Sequence, residues 1–413
     1  MSKGFFSAST LAQSKQPPSL APRCGECGLY KHCKSPKMVV TGEGRKRILI
    51  LAEAPGSEED ERGIQLVGKS GQYLRSALKD LGVSLDIDCW KTNALICRPG
   101  GNRTPTDAEI DHCRPNLLRA IKELKPTTII TFGLPALTSV IGHIWKDNLG
   151  VMARWVGWKI PLQRYNAWVC PLWHPSYLLR EESPVLDLWF NRYLKAAVGL
   201  AGRPWETLPD YDRGVEIITS NAEAYEATRQ LGSAGGYDFA AFDFETNCLK
   251  PETKGAKIVS CSISVGDRTI AFPWTQKTHA STWCSFMQQS IRKIASNMKF
   301  EERWSKQVYG HLAGAGDRPV VQNWFCDTMQ LAHVLDSRPG ITSIKFQSFV
   351  RLGAEEWSSH ITPFFEPRKD GLNRIDEIAL TDLLRYNAQD SLREYLVAKL
   401  QLKELKERTD ESR

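Results

Sequence analysis

AAFDFETN (240–247) alternates apolar and acidic residues, so on a strand Asp243 and Glu245 point to one face. Two carboxylates on one face of a buried strand are costly unless cations offset them, and Mg²⁺ prefers oxygen ligands of this kind. Far downstream, Tyr386 and Asp390 stand at i and i+4, one above the other on a helix. Between these stretches Asn297-Met298-Lys299-Phe300-Glu301 is amphipathic and ends on an acid. Carboxylates meeting from separate elements make a two-metal arrangement: one ion sharpens a water, the other steadies a leaving oxygen.

A second set of residues lies in the first half. Cys24-x2-Cys27 and Cys97-x15-Cys113 form two pairs, and Cys33 is a further candidate. Four thiolates suit Zn²⁺ or an iron–sulfur cluster, and spacing alone does not choose between them. Cys89, Cys170, Cys248, Cys261, Cys284 and Cys326 sit in or near apolar runs and read as small buried thiols. Polar residues also follow the strand-like runs: Glu53-Ala54-Pro55-Gly56 after RILILA, Asn93 within CWKTNALI, and His174 after AWVCPLW. In open parallel α/β sheets ligands bind beyond the carboxyl ends of the strands, so these groups are expected to converge on one pocket. A carboxylate, a carboxamide and an imidazole are a kit for reading a base edge and stabilising developing charge.

The elements that must position these groups are legible in outline. Strands are expected at 47–52, 89–96, 127–132 and 167–173, and helices at Ser70–Leu81, Thr106–Leu124 and Leu134–Ile144, the second opening on a Thr106/Glu109 capping box. Residues 1–22 are polar and read as a flexible leader; GRPWETLPDYDRG gives a linker over 203–214. The second half restarts with a helix at Asn221–Gln230, a strand at 238–246 and a hairpin, IVSCSISV and TIAFPW, turning at Gly266–Asp267. From about Ser281 onward helical, polar sequence dominates. The expected domains are 23–202 and 215–408, with a tail at 409–413.

Composition agrees with two soluble α/β domains. The 413 residues carry 54 Lys and Arg against 47 Asp and Glu, but residues 1–200 hold 27 basic and 18 acidic side chains while 201–413 hold 27 and 29. The basic half suits a polyanion. No apolar run is long enough for a membrane span, the start lacks the core of a signal peptide, and an odd 11 cysteines in a cytoplasmic protein argue for metal ligation over disulfides.

The segments AEAPGSEEDERGIQLVGKSGQYL (52–74), TNALICRPGGNRTPTDAEIDHC (92–113) and HPSYLLR (174–180) resemble the motifs of family 4 uracil-DNA glycosylases, the iron–sulfur type. The resemblance implies an α/β/α parallel-sheet domain with a 4Fe-4S cluster on Cys24, Cys27, Cys97 and Cys113, Cys33 being spare, and a structural cluster whose ligands lie away from the strand-end pocket. It implies Glu53 as the carboxylate that positions water or supports the cationic sugar, Asn93 as the reader of the uracil edge, and His174 as the imidazole facing the pyrimidine O2. The backbone of Ala54 to Gly56 lines the pocket on this reading. The chain departs from the family at Gln65-Leu66-Val67-Gly68, where Leu66 stands in place of an aromatic that stacks on uracil, a loss of ~1–3 kcal/mol. No covalent lysine is offered, Lys69 being the one nearby amine, so a monofunctional glycosylase is expected.

Asp243 and Glu245 of DFET, NMKFE and the Tyr386/Asp390 pair of YNAQD resemble the DnaQ-like 3′–5′ exonucleases, in particular the DEDDy proofreading domains of family A DNA polymerases. This implies a ribonuclease-H-like fold, two Mg²⁺ or Mn²⁺ ions on Asp243, Glu245 and Asp390, a water oriented by Tyr386, and Glu301 in place of a usual Asp. Asp327 reads as structural. The combined expectation is a bifunctional enzyme of DNA repair and replication. No polymerase palm follows, which implies a separate polymerase polypeptide as partner, as in a bacterial virus with a split replication enzyme working in the host cytoplasm. The alternative is an exonuclease whose glycosylase-like half is a cluster-containing DNA-binding module; a zinc-ribbon-like interaction protein is the third reading.

Overall fold

The computed structural model describes residues 21–203, 214–233, 236–275, 286–311, 314 and 316–411. The expected leader up to residue 20, the body of the linker (204–213) and Cys284 lie outside the described residues. The chain divides after residue 205 into two compact α/β units, each described here by itself.

The first unit is built on a five-stranded sheet in the order β2-β1-β3-β5-β4, with β1 at Ile48–Ala52, β2 at Cys89–Asn93, β3 at Thr128–Phe132, β4 at Ile160–Leu162 and β5 at Ala167–Leu172. The first, second, third and fifth strands are parallel, and β4 joins the edge antiparallel to β5. Parallel strands covered on both faces need near-continuous apolar runs. Ile48, Leu49, Ile50 and Leu51 in β1, and Ile129, Ile130 and Phe132 in β3, are wholly buried. The helices are α1 (Cys24–Cys27), α2 (Ser57–Arg62), α3 (Lys69–Asp80), α4 (Asp107–Leu124), α5 (Leu134–Ile141), α6 (Pro175–Glu181) and α7 (Pro184–Val198). Thr106 caps α4 with the expected box, its Oγ1 accepting from Glu109 N while the Glu109 carboxylate accepts from Thr106 N. The run expected as a strand over 89–96 ends at Asn93, because residues 94 and 95 turn away to donate their amides to Ala52 and Glu53. The helix expected to reach Ile144 closes at Ile141, with Gly142 as its cap.

The second unit carries a six-stranded mixed sheet in the order β11-β10-β7-β8-β9-β6. The strands are β6 (Val215–Ile217), β7 (Ala240–Thr246), β8 (Ile258–Ser264), β9 (Thr269–Pro273), β10 (Lys293–Ala295) and β11 (Trp324–Asp327); the helices named here are α8 (Asn221–Ser233), α9 (Met298–Tyr309), α10 (Thr328–Leu335), α11 (Ile344–Leu352) and α12 (Leu380–Glu411). β7, β8 and β9 form an antiparallel meander, while β10 and β11 add in parallel beside β7. This is the mixed sheet expected of the ribonuclease-H-like class. From Ser281 onward, where helical sequence is expected to dominate, helices prevail among the described residues but β10 and β11 also occur: three- and four-residue strands are too short to show a period of two. α12 runs on to Glu411, into the segment expected as a tail.

The alternation of β8 decides where α12 sits. Ser260, Ser262 and Ser264 are wholly buried on one face, and Cys261 and Ile263 fill the core on the other. Small hydroxyl side chains let a helix approach the sheet and give it partners: Ser260 Oγ donates to Asn387 Oδ1 at 3.0 Å, and Ser262 Oγ to the Asn387 carbonyl at 2.7 Å.

Candidate active sites

In the first unit the carboxyl ends of β1, β3 and β5 bring Glu53 and His174 together around Gly133. A β-carbon at Gly133 would lie 3.5 Å from His174 Cβ and 3.7 Å from Glu53 Oε2, and φ of +85° suits glycine there. His174 caps α6: its Nδ1 accepts from the Ser176 amide at 3.1 Å and contacts Ser176 Oγ at 2.7 Å. With Nδ1 taken as an acceptor, the ring proton belongs on Nε2. Burial, and then the Arg180 cation, lower the His174 pKa to about 4, so the imidazole is neutral at pH 7. Burial raises the Glu53 carboxyl above its ordinary range, with Arg180 opposing. Asn93 ends β2 in register with Ala52; it is 3% exposed and its buried Nδ2 has no hydrogen-bond partner.

Glu59 ties the neighbouring loops together. Its Oε1 accepts from the amides of Val67 at 3.0 Å and Gly68 at 2.8 Å, and its Oε2 from Gly56 at 3.1 Å. The Gly56 amide is therefore engaged within the protein. Leu66 is held in the left-handed region at φ +57°, a conformation costing a side chain of this kind roughly 1–2 kcal/mol. Its side chain, 6% exposed, belongs to the apolar cluster with Ala52, Leu74 and Leu178. Lys69 is exposed at the start of α3.

Cys24, Cys27, Cys97 and Cys113 line one hollow together with Leu95 and His112. The Lys37 amide donates to Cys97 Sγ at 3.3 Å and Asn116 Nδ2 to Cys113 Sγ at 3.6 Å, contacts that suit thiolate charge. Burial, with Cys33 and Cys113 beside it, pushes the Cys97 thiol up to about 12. Four convergent sulfurs with amide donors fit a metal centre. Cys33, the further candidate, packs against the apolar cluster that contains Cys97, and Ala54, next to Glu53, packs against that same cluster.

In the second unit Asp243, Glu245 and Asp390 each offer an oxygen, all within 4.8 Å of one another. Register explains the first two, which share a face of β7; Asn387 explains the third. Asn387 Nδ2 donates to Asp243 Oδ2 at 2.7 Å, locking α12 so that Asp390 arrives beside the strand. Trp357 Nε1 donates to Asp390 Oδ1 at 2.7 Å, and Arg393 lies 3.6 Å over the Trp357 ring. The Tyr386 hydroxyl also donates to Asp390. Burial lifts Asp390 to about 6 despite these donors, and burial plus the mutual charge of the acids push Asp243 and Glu245 well above the carboxylate range. An oxygen-only donor set this crowded fits hard divalent cations. Glu301 lies in the first turn of α9, buried and close enough to feel Asp243 and Glu245, yet outside the mutual triad. Asp327 accepts from the amides of Asn297, Met298 and Met329, so it holds the entry to α9 and caps α10.

Sequence reasoning missed Gly133, Glu59, Asn387, Trp357 and Glu394. Glu394 was within reach of the i, i+4 rule, since it continues the row of Tyr386 and Asp390.

The uracil DNA glycosylase superfamily model matches residues 40–197. A type-4 uracil-DNA glycosylase of Pyrobaculum aerophilum is 37% identical over 191 residues, which cover 44% of this chain and 90% of that enzyme. A DNA polymerase of Bacillus phage SP01 is 28% identical over 116 residues, 25% of this chain and 13% of the polymerase. Among solved structures, Brucella melitensis NrnC with bound Mg²⁺ overlays with a TM-score of 0.34 at 18% identity, covering 47% of this chain and 81% of that one.

Proposed function

The chain belongs, through its first half, to the type-4 uracil-DNA glycosylase family, and from that premise we propose a bifunctional DNA enzyme: a monofunctional uracil N-glycosylase joined to a metal-dependent 3′–5′ exonuclease. The observation that carries the first activity is the meeting of Glu53 and His174 at Gly133, with the unpaired Asn93 amide at the end of β2.

Breaking the bond to uracil leaves the sugar cation-like and the base anionic. His174, neutral and protonated on Nε2, donates a hydrogen bond to the pyrimidine O2 as charge builds there. Its Nδ1 stays fixed by Ser176, so the ring keeps one tautomer throughout. Asn93 Nδ2 supplies the donor that the uracil O4 accepts, which gives a buried orphan its partner. Burial makes the Glu53 anion costly in the empty pocket, and positive charge growing on the sugar relieves that cost, so the stabilisation is concentrated at the transition state. Exposed Lys69 forms no covalent adduct on this reading, and the product is an abasic site.

Cys24, Cys27, Cys97 and Cys113 would hold a 4Fe-4S cluster, whose part is to tie the amino-terminal segment to α4 and the loop after β2. In the second unit Asp243, Glu245 and Asp390 would hold divalent cations. Bound there, such ions supply the positive charge that sharpens a water and steadies the leaving 3′ oxygen. Trp357 and Tyr386 orient Asp390, and the Tyr386 phenol lies where it can align the attacking water. DNA is the substrate of both sites, and a separate polymerase is a natural partner for an activity that trims 3′ ends.

A 5′-labelled strand carrying one uracil tests both activities. Alkali should break it at the uracil with or without chelator, while shortening from the 3′ end should require Mg²⁺ or Mn²⁺. No alkali-labile break in any condition would leave the first half as a DNA-binding module, and shortening undiminished by chelator would remove the metal reading.

A further inference from the structure

Residues 35–41 form an irregular strap that is tied to the cysteine hollow at one side and to the loops of the uracil pocket at the other. The Lys37 amide donates to Cys97 Sγ at 3.3 Å and the Met38 amide to the Ile96 carbonyl at 2.9 Å, which joins the strap to the loop that carries one of the four sulfurs. The Ser35 amide donates to Asp60 Oδ1 at 2.9 Å. Asp60 is buried and is the α2 neighbour of Glu59, whose carboxylate holds the amides of Gly56, Val67 and Gly68. Gln65 takes both of its amide partners from the strap: Nε2 donates to the Val39 carbonyl and Oε1 accepts from Thr41 Oγ1, each at 2.6 Å. Gln65 is wholly buried and immediately precedes Leu66, whose carbonyl lies so close to Gly71 of α3 that a β-carbon there would overlap it.

A wholly buried carboxamide paired at both ends is a stiff link, because losing either partner strands a polar group away from water. Gln65 and Asp60 therefore fasten one strap to both pocket loops, the turn at Gly56 and the run 65–68. We propose that Gln65 and Asp60 are positioning residues for uracil excision: through residues 35–41 they make the placement of Leu66 and of the Gly56 turn depend on a filled cysteine hollow. Cys97, held on a 4Fe-4S cluster, fixes the loop after β2. Lys37 and Met38 pass that constraint to the strap, and Gln65 and Asp60 pass it to the pocket. By linkage the dependence runs both ways, so a base seated in the pocket must in turn steady the strap beside the cysteines.

This inference rests on the glycosylase reading of the first unit, and the experiment tells the two failures apart. The full chain is saturated with a DNA strand carrying one 2′-fluorinated deoxyuridine, whose fluorine disfavours the cation-like sugar and so blocks excision. Iron release to a ferrous chelator is then followed by absorbance; iron leaves through local opening, so its rate reads how firmly the strap is held. In wild type this strand should slow release about fivefold or more relative to the same strand bearing thymine, a coupling of ordinary size. Gln65→Met keeps the bulk and deletes both hydrogen bonds. It should bind the strand with little change in Kd but show no more than about twofold protection, while its single-turnover excision of ordinary uracil falls roughly tenfold. Asp60→Asn keeps an acceptor for the Ser35 amide and should retain the protection; Asp60→Ala should lose it, and serves if melting shows that Gln65→Met does not fold. Undiminished protection in Gln65→Met and Asp60→Ala, no protection in a wild type that excises uracil, or full excision by a wild type without iron would overturn the inference. A wild type that leaves uracil in place would instead overturn the glycosylase reading.

Discussion

The two candidate sites differ in the sign of what they leave unsatisfied. At the first site Asn93 Nδ2 is an unpartnered donor at the end of β2, and the neutral His174 imidazole presents another donor. In the second the orphans are acceptors, Glu301 Oε2 and Glu394 Oε2, beside three more carboxylates. Because buried polar groups are normally paired, the missing partner is written into the excess. Donors in want of acceptors call for a carbonyl-bearing ligand on which negative charge develops, and crowded acceptors call for cations. On the proposed function, one chain thus holds a pocket suited to a carbonyl-bearing ligand and an acid cluster suited to cations.

That contrast can be broken most sharply by substitution. Asp243→Ala removes a ligand shared by the triad and should slow 3′ shortening on the order of 10³-fold, leaving uracil excision at the wild-type rate; single-turnover assays of both products on one preparation check this. His174→Ala removes one preorganised donor at the developing anion and should slow excision about 10²–10³-fold, with shortening unchanged in the same assay. Trp357→Phe keeps the ring but deletes the donor to Asp390, a hydrogen bond to a charged group worth about 1.5–3 kcal/mol. Shortening should fall roughly tenfold or more, and added Mn²⁺ should recover part of it.

Stability sharpens the same comparison with smaller effects. Chelation should lower the melting of the second unit alone, because divalent cations held as proposed by its folded acid cluster would not bind the unfolded chain. Cys113→Ser should lower that of the first unit alone, with iron content falling in parallel. Calorimetry resolving two transitions reads both. The smallest effect concerns pH. Folding depresses His174 from its ordinary 6.5 to about 4, so the unfolded chain binds the extra proton first. Its contribution to stability is complete above about pH 6.5 and is lost as pH falls toward 4. The excision rate should show no imidazole titration between pH 5 and 7.5, whereas an ordinary histidine would give a step near 6.5.

Much of this was legible in the residues. The apolar runs of β1 and β3 announced themselves because strands covered on both faces have no polar side to confuse the pattern. Glu53, Asn93 and His174 could be placed because each follows or ends such a run. Asp243 and Glu245 followed from a period of two, and Tyr386 with Asp390 from a helical turn. What escaped was whatever depends on packing across the sequence. β4, β10 and β11 are too short to show a period, and their pairing partners supply the order. Asn387 reads as an ordinary polar helix residue until the serines of β8 are seen beneath it. Gly133 was one glycine among 30, and only the approach of His174 and Glu53 gives it meaning. Glu394 stands beside a ligand set that the motifs had already filled, so pattern matching stopped before reaching it.

The central claim is that two chemistries of opposite need reside in separate units of one chain. Its most direct test offers a single 5′-labelled strand, bearing one uracil and a free 3′ end, to Asp243→Ala and His174→Ala side by side in Mg²⁺. The expected result is a reciprocal loss: alkali-labile breaks without shortening from the first protein, shortening without alkali-labile breaks from the second. Loss of both products from either protein, with its melting intact, would contradict the account.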